Sequence, residues 1–250
     1  MSREKYEMRK SDNKDYKKYL EIIALILTIL GGIYSFIAPD KDKTIDVNFS
    51  LKAGITEPNQ NNNPPPVTNK TTNNNYDLYV KKFSEGQTAL ASRNYHKAIE
   101  AFTEAIKLNP TDSSSYNNRA NAYRNLKNFD AAIADYNKSI ELNPNDSNTY
   151  ANRGLVFNQL SNYDSSIADA NKALQITPNH DFAYLVRGLS YAGIGNNQAA
   201  LNDYNKSIEL NPNYADAYYC RGVFYRTAGD IQKAQADIAK AQQLGFVITQ

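Results

Sequence analysis

The chain has 250 residues, a formal net charge of +2 and a single cysteine, Cys220, so it holds no intramolecular disulfide and no zinc site built from several thiolates. Residues 1–18 carry seven Lys and Arg against four Asp and Glu, whereas residues 75–250 carry seventeen of each sign. A nucleic-acid partner requires a basic face that displaces counterions, so this balance argues against one. With two histidines in the whole chain, we expect no metal and no other cofactor.

The chain begins with a basic tail, residues 1–18, followed by a predicted transmembrane signal anchor, residues 19–39. The stretch from Tyr19 to Ala38 carries one charge, Glu21, and a helix of this length spans the ~30 Å hydrocarbon core of a bilayer. Because basic residues are concentrated before this segment, we expect a single-pass membrane protein with a cytoplasmic N-terminus and an extracytoplasmic C-terminal part. A cleaved signal peptide is the alternative, although this apolar run exceeds the usual ~7–15 residues.

Residues 40–78 form a predicted linker rich in Asn, Pro and Thr. The stretch "TEPNQNNNPPPVTNKTTNNN" (56–75) has almost no apolar side chain. It cannot bury enough surface to offset the entropy lost on ordering, so it is predicted to be a disordered tether. The preceding stretch "TIDVNFSLKAG" (44–54) alternates weakly between polar and apolar residues and is a candidate for a short strand.

The rest of the chain repeats itself every 34 residues. The phrase "DYNKSIELNPN" occupies 135–145 and again 203–213, and altered copies occur one period before, between and after these two. Self-similarity at a fixed period of this length is typical of stacked structural repeats. The predicted units are 79–112, 113–146, 147–180, 181–214 and 215–248, which leaves 249–250 as a short C-terminal tail.

Each unit shows the same pattern when positions are counted from its first residue. Small residues recur at positions 8 and 20, most units have an aromatic residue at positions 11 and 24, and the first four units have proline at position 32. Small residues let two antiparallel helices approach closely, the rings fill the space beside them, and proline ends the second helix. This pattern resembles the tetratricopeptide repeat over residues 79–248. The resemblance implies an all-α fold, a right-handed superhelical solenoid of five helix pairs whose first helices line a concave face.

Arginine at position 7 and aspartate at position 23 occur together in the last four units, and the first unit lacks both. The two positions lie equally far from the turn expected near position 15, so antiparallel helices place them opposite each other. We favour intra-repeat ion pairs over an anion-binding stripe of arginines. Such pairs specify helix register more than they add net stability, because desolvation offsets much of the attraction. The predicted pairs are Arg119–Asp135, Arg153–Asp169, Arg187–Asp203 and Arg221–Asp237.

The resemblance also implies which first-helix side chains face the groove. An amide offers donors and an acceptor, so asparagines in such a groove pair with the backbone of an extended peptide. Asn118 and Asn152 share position 6 and are the expected rungs of an asparagine ladder, and the apolar fourth unit would take a hydrophobic anchor. Because the chain is rich in asparagine throughout, composition alone is the alternative explanation. The predicted groove residues are Asn117, Asn118, Asn121, Arg124, Asn148, Asn152, Leu185, Leu189, Tyr219 and Arg226.

These features predict a non-enzymatic, membrane-anchored scaffold that binds an extended peptide or a partner protein in the concave groove. The sequence has no glycine-rich phosphate loop, recognisable nucleophile–base motif or metal-ligand cluster, which argues against an enzyme. No separate solvating helix follows the last second helix (231–244), so this helix is either its own cap or a docking site for another chain. A homo-oligomeric structural or assembly factor in the membrane is therefore the alternative function.

Overall fold

A computed structural model of the protein describes residues 74–247, which form ten α-helices in five pairs. All of the described residues belong to one compact unit. The predicted all-helical solenoid of five helix pairs is confirmed. The helices are α1 (Asn74–Ala91), α2 (Tyr95–Leu108), α3 (Ser113–Asn125), α4 (Phe129–Leu142), α5 (Ser147–Gln159), α6 (Tyr163–Ile176), α7 (Asp181–Gly193), α8 (Asn197–Leu210), α9 (Ala215–Thr227) and α10 (Ile231–Gln243).

The first helix begins earlier than the repeat pattern indicates. Helix α1 starts at Asn74 rather than at Tyr79, so the end of the predicted linker, 40–78, belongs to the helix. The ring of Tyr76, in this extension, lies 5.9 Å from that of Tyr79, so aromatic packing continues towards the N-terminus. The predicted transmembrane anchor, 19–39, lies outside the described residues. None of the described helices combines the length and the apolar character needed to cross a bilayer.

All five units turn between their two helices in the same way. The first helix ends at position 13, and the residue at position 15 has a positive φ, for example +60° at Lys127. The next amide, that of Asn128, donates to the carbonyl of Tyr123, five residues back, which closes the first helix. The side chain of Asn128 then caps the second helix by accepting a hydrogen bond from the amide of Ala131 at 3.3 Å. The chain therefore reverses within three residues, and positions 7 and 23 come to lie side by side.

Small residues at position 8 bring the paired helices into close contact. A Cβ atom on Gly188 would lie 2.9 Å from the ring of Tyr204, which is fully buried at position 24. The third unit has Ala170 at position 24 and no ring. There, Val186 of the following unit approaches to 3.4 Å from the Cβ that Gly154 lacks. The core is therefore continuous from one unit to the next.

Successive first helices contact one another along the array. Helix α5 packs on α7, and smaller contacts join α1 to α3, α3 to α5 and α7 to α9. No pair of successive second helices within residues 74–247 shows a comparable contact. The more closely packed layer lies on the inside of a curve, so the first helices form the concave side of the solenoid.

The last second helix, α10, differs from the others at the positions that pack against a following unit. Positions 21 and 28 carry Ile or Leu in the first four units; Ile140, for example, packs against the hydrophobic cluster of the units that follow it. In α10 these positions carry Gln235 and Gln242, and both side chains are exposed. Helix α10 therefore has the polar outer surface that is typical of a terminal repeat.

The turn geometry generates a stability prediction. Ser161 holds φ +58° at position 15, where the same turn in the next unit has Gly195 at φ +76°. Because side chains disfavour this region, Ser161→Gly should stabilise the fold by about 0.5–1 kcal/mol. For a chain of this size that corresponds to a rise of about 1–4 °C in the melting temperature of the full-length protein in mild detergent.

The matched control is Gly195→Ala. A Cβ at Gly195 meets no atom within 4 Å, so this change adds backbone strain without a steric clash, and the melting temperature should fall. A lower melting temperature for Ser161→Gly, or a higher one for Gly195→Ala, would contradict this account of the turn.

Candidate functional site

Each predicted ion pair is brought together by its own helix hairpin. In the fourth unit, Nε of Arg187 donates to Oδ2 of Asp203 at 2.7 Å, and the second guanidinium nitrogen donates to Oδ1 at 2.8 Å. This two-pronged geometry fixes the rotation and the register of both helices. The same geometry, with all distances between 2.7 and 2.8 Å, holds for Arg119–Asp135, Arg153–Asp169 and Arg221–Asp237.

These pairs are shielded from water. The side chains of Arg187 and Asp203 are 21% and 8% exposed. The hydrogen bond to Asp203 raises the pKa of Arg187 above its ordinary value. In the third unit, burial raises the pKa of the Asp169 carboxyl, and the hydrogen bond from Arg153 opposes that shift. Arg153 is therefore the group that favours the charged form of Asp169 against the effect of burial.

Each arginine also bonds to the preceding unit, which the sequence analysis missed. The remaining guanidinium nitrogen of Arg187 donates at 2.7 Å to Oδ1 of Asn171, at position 25 of the unit before. The arginines of the second, third and fifth units make the equivalent bond. The acceptors at position 25 are Thr103, Asn137, Asn171 and Asn205. We call an arginine with its aspartate and this acceptor an arginine clamp.

Two aromatic rings flank each clamp. The guanidinium carbon of Arg187 lies 5.3 Å from the ring centroid of Tyr184 and 5.9 Å from that of Tyr191. These rings occupy positions 4 and 11, one helical turn before and one after the arginine, and the other three clamps have equivalent rings within 5.6–6.0 Å. Cation–π attraction and the flat ring faces keep the guanidinium aimed at the second helix. The tyrosines at position 4 thus take part in the clamp.

The opposite side of each first helix forms the candidate binding surface. With 3.6 residues per turn, positions 2, 6, 9 and 13 lie opposite positions 4 and 11. We call this side the inner face. In the second and third units, the inner face carries mostly polar side chains. Its members there include Asn118 at 3% exposed, Asn121 at 7% and Asn152 at 1%, with Asn117 at 4% beside them. Arg124, 8% exposed, lies at the edge of this polar part.

Two of the predicted groove asparagines make hydrogen bonds within the array. Nδ2 of Asn152 donates at 3.3 Å to Oδ1 of Asn117, at position 5 of the preceding unit. Asn121 accepts a hydrogen bond from the hydroxyl of Tyr136, which ties it to the second helix of its own unit. Oδ1 of Asn152 is buried and accepts no hydrogen bond. An acceptor in this state costs about 1–3 kcal/mol, so it is suited to a donor supplied by a ligand.

The fourth unit makes its part of the inner face apolar, and the fifth unit adds Val223 together with the buried carboxyl of Asp216 and the thiol of Cys220. Phe182, Leu189 and Val223 are 2%, 1% and 6% exposed, and the predicted Leu185 is fully buried beside them. The remaining predicted residues are less enclosed. Asn148 is half-buried and Arg226 is exposed at the rim. Tyr219 stacks on Phe246 with ring centroids 4.2 Å apart, so the end of the chain covers part of the fifth unit.

The titratable groups of this surface offer little chemistry. Burial raises the pKa of the Cys220 thiol far above its ordinary value, which leaves almost no thiolate to react. Residues 74–247 contain no group of three or more His, Cys, Asp and Glu side chains placed to hold a metal ion. Within the described residues, the inner face presents mainly amide and hydrocarbon side chains, with the carboxyl of Asp216 and the thiol of Cys220 in the fifth unit.

Family models described as tetratricopeptide repeat match the units one after another, at residues 82–112, 113–146, 135–168, 183–214 and 203–236. This chain belongs to the tetratricopeptide repeat (TPR) family.

Solved TPR structures share the fold. TTC0263, a thermophilic TPR protein of Thermus thermophilus, has a TM-score of 0.63 at 19% identity, over 67% of this chain and 91% of that chain. PilW, described as a type IV pilus biogenesis factor, has a TM-score of 0.61 at 22% identity, over 69% and 80%. MamA of Desulfovibrio magneticus has a TM-score of 0.55 at 19% identity, over 67% and 95%. At these identities the similarity establishes the architecture alone.

The clamps of this TPR array generate a second prediction. Asp203→Ala removes the carboxylate that Arg187 needs and leaves a largely buried guanidinium uncompensated. We expect the free energy of unfolding to fall by about 3 kcal/mol, since removing one partner of a buried pair costs ~3–5. Chemical denaturation of the full-length protein, followed by far-ultraviolet circular dichroism, measures this loss.

A matched control is Glu209→Ala, six residues along the same helix. Glu209 pairs with Lys206 at 2.6 Å on the exposed surface, and such pairs add little to stability. The control should unfold like the parent. If the Asp203→Ala variant is as stable as the Glu209→Ala variant, the clamp does not stabilise the fold.

Proposed function

We propose that this TPR protein is a membrane-anchored, non-enzymatic scaffold that binds an extended segment of a partner protein on its inner face. The observation that carries the proposal is the composition of that face. Amide side chains predominate in the second and third units, hydrocarbon side chains line the fourth, and an amide oxygen of Asn152 is buried without a donor.

This arrangement suits a polypeptide better than a small molecule. An extended chain carries backbone N–H and C=O groups along its whole length, and asparagine offers both a donor and an acceptor to them. The oxygen of Asn152 would accept from one backbone N–H, and a side chain of the same segment would fill the apolar part around Leu189. Main-chain pairing then supplies affinity, and the apolar part selects the ligand.

The membrane anchor is the second part of the proposal. Residues 19–39 carry the sequence pattern of a spanning helix, and the polar stretch 56–73 follows before the first TPR helix. A tether of this kind confines the TPR array to the neighbourhood of the bilayer and raises its effective concentration for partners in the same membrane. The basic tail favours a cytoplasmic N-terminus and an extracytoplasmic TPR array.

Assembly of copies end to end is a weaker alternative. A following unit would need Ile or Leu at positions 21 and 28 of α10, where Gln235 and Gln242 stand, and a clamp acceptor at position 25, where Ala239 stands. The first unit of another copy would bring Glu85 in place of the clamp arginine. Both ends of the array therefore lack the groups that join successive units. Sedimentation of the full-length protein in detergent should show no growth of open-ended chains.

Site-specific photocrosslinking tests the binding surface. The probe p-benzoylphenylalanine replaces Asn148, which is half-buried on the inner face, in full-length protein in native membranes. We expect distinct adducts with peptide segments of another protein, identified by mass spectrometry. The control probe replaces Asn202, which is exposed on α8, and should give several-fold less adduct.

A second change sharpens this test. Asn152→Ala in the Asn148 probe background removes the amide proposed to meet the ligand backbone and should lower the adduct yield, while circular dichroism stays unchanged. Equal adduct yields from the Asn148 and Asn202 probes, or a yield that Asn152→Ala does not change, would contradict peptide binding on the inner face.

Protease protection tests the proposed topology. In spheroplasts with an intact membrane, the part of the protein after residue 39 should be digested by added protease, because we place it on the extracytoplasmic side. An antibody against the N-terminal tail should still detect its epitope in a short protected fragment. If the TPR array is digested only after the membrane is opened, the orientation is reversed.

A further inference from the structure

The residue that caps each first helix changes along the array. Asp112 and Asp146 precede α3 and α5, and the side chain of each accepts a hydrogen bond from the backbone of the first helical turn. His180 holds the same position before α7, and its side chain makes no such bond. An imidazole therefore stands at a helix N-terminus, where the helix dipole favours anions and disfavours cations.

The side chain of His180 is enclosed and incompletely bonded. The residue is 4% exposed, and its Nε2 atom is buried without a hydrogen-bond partner. The centroid of its ring lies 6.4 Å from that of Phe182, at position 2 of the inner face. A neutral imidazole tolerates such surroundings, whereas an imidazolium carries a full charge and a donor on each nitrogen. Protonation of His180 therefore opposes its packing beside Phe182.

Within residues 74–247, the carboxylates of Asp181 and Asp146 are the charged groups that act on His180. Oδ1 of Asp181 lies 4.0 Å from Nδ1 of His180. This oxygen accepts a hydrogen bond from the Phe182 amide at 2.8 Å, and Oδ2 accepts one from Nδ2 of Asn211 at 2.8 Å. Asp181 is therefore engaged within its own unit and would have to leave these donors to pair with a protonated His180.

Asp146 is engaged in the same way at the start of α5. Its Oδ1 atom accepts a hydrogen bond from the amide of Asn148 at 3.0 Å, and Oδ2 accepts one from the hydroxyl of Thr149 at 2.6 Å. Burial lowers the pKa of His180 below its ordinary value, and the two carboxylates offset only part of this effect. The packed ring is therefore held in its neutral form.

We propose that His180 is an acid-sensitive switch beside the apolar part of the inner face. In its neutral form the ring stays packed against Phe182. Protonation drives the ring into water, which uncovers Phe182 and loosens the first turn of α7. The switch itself needs no ligand, and its effect on peptide binding rests on the proposed function of the inner face.

The pH range follows from the direction of the pKa shift. A solvated histidine takes up a proton near pH 6.5, whereas the packed His180 ring does so at a lower pH. Between these two values the expelled conformation binds one more proton than the packed one. Its population relative to the packed conformation therefore rises by up to about tenfold for each unit by which the pH falls. The stability of the packed conformation is fully present above about pH 6.5 and declines below it.

Hydrogen exchange of the full-length protein in mild detergent tests the switch. The amide of Tyr184 donates to the carbonyl of His180 at 3.2 Å, so residues 184–186 report on the start of α7. We expect their protection factors, which are corrected for intrinsic exchange rates, to fall several-fold between about pH 6.5 and about pH 5. The matched control is residues 150–152, at the same positions of α5 behind the Asp146 cap, where protection should stay constant.

Two neutral substitutions separate His180 from other effects of acid. His180→Asn does not titrate and supplies a favoured N-cap, so the loss of protection at residues 184–186 should disappear. His180→Gln is a second neutral replacement and should give the same result. His96→Gln removes the other histidine of the chain, which is exposed on α2, and should respond like the parent. Constant protection in the parent, or an equal loss in the parent and both His180 variants, would refute the switch.

Nuclear magnetic resonance gives an independent measurement, because the chain has two histidines. The ¹H–¹³C signals at Cε1 of the two rings are assigned with the His96→Gln variant. We expect an apparent pKa for His180 below its ordinary value, and we expect the loss of protection at residues 184–186 to follow the same titration. A His180 ring that titrates at or above its ordinary pKa would contradict the proposal.

The Asn148 photoprobe measures the effect on binding. Its adduct yield should change between about pH 7.5 and about pH 5.5 in the parent and stay constant in the His180→Asn background. Equal yields in the parent at the two pH values would refute control of binding by the switch.

The switch and the binding function fail in different ways. If protection responds to pH while the Asn148 probe captures no more than the Asn202 probe, the switch stands and the binding function is wrong. If the Asn148 probe captures a partner while protection does not respond to pH, the binding function stands and the switch is wrong.

Discussion

The fold depends on one repeated interaction, an arginine at position 7 that bonds in two directions. Within its own unit it donates two parallel hydrogen bonds to an aspartate. It also donates one hydrogen bond to Asn or Thr at position 25 of the preceding unit. Burial of such a group carries a desolvation cost, so its value lies in specifying geometry rather than in adding net stability. Each clamp fixes the register of one hairpin and its placement on the one before. Four clamps thereby fix the spacing of the five first helices and the shape of the face that they present.

That rigid arrangement supports the proposed role of the asparagine-rich surface as a recognition site. An amide such as Asn152 is useful to a ligand only if its unpaired oxygen stays in place, and its position depends on the stagger between neighbouring first helices. The clamps set this stagger from the opposite side of the same helices. The clamps and the proposed binding residues thus lie on two different sides of each first helix.

Much of the fold and the arginine–aspartate pairing could be predicted from the sequence because the five units can be aligned with one another. Arginine and aspartate appear together in four units and are missing together from the first, and the symmetry of positions 7 and 23 about the turn was enough to pair them. The bond to position 25 was missed because it joins two units, and counting positions within one repeat does not show which residues of neighbouring repeats are in contact. A signal existed: Asn or Thr stands at position 25 in each unit that precedes an arginine, and Ala239 stands there in the last unit, which precedes none. The bond between Asn152 and Asn117 was not predicted, because the relative stagger of two first helices is a tertiary property. The early start of α1 reflects aromatic packing by Tyr76, which lies outside the periodic pattern.

The central claim is that the clamp joins successive units and does more than pair the helices of one hairpin. A double-mutant cycle between Arg187 and Asn171 tests it most directly, with Arg187→Met, Asn171→Ala and the double variant compared with the parent in denaturant unfolding of the full-length protein. We predict a coupling free energy of about 1 kcal/mol, the usual net value of a hydrogen bond. Additivity of the two changes within about 0.3 kcal/mol would show that the bond between units contributes nothing and would contradict the account.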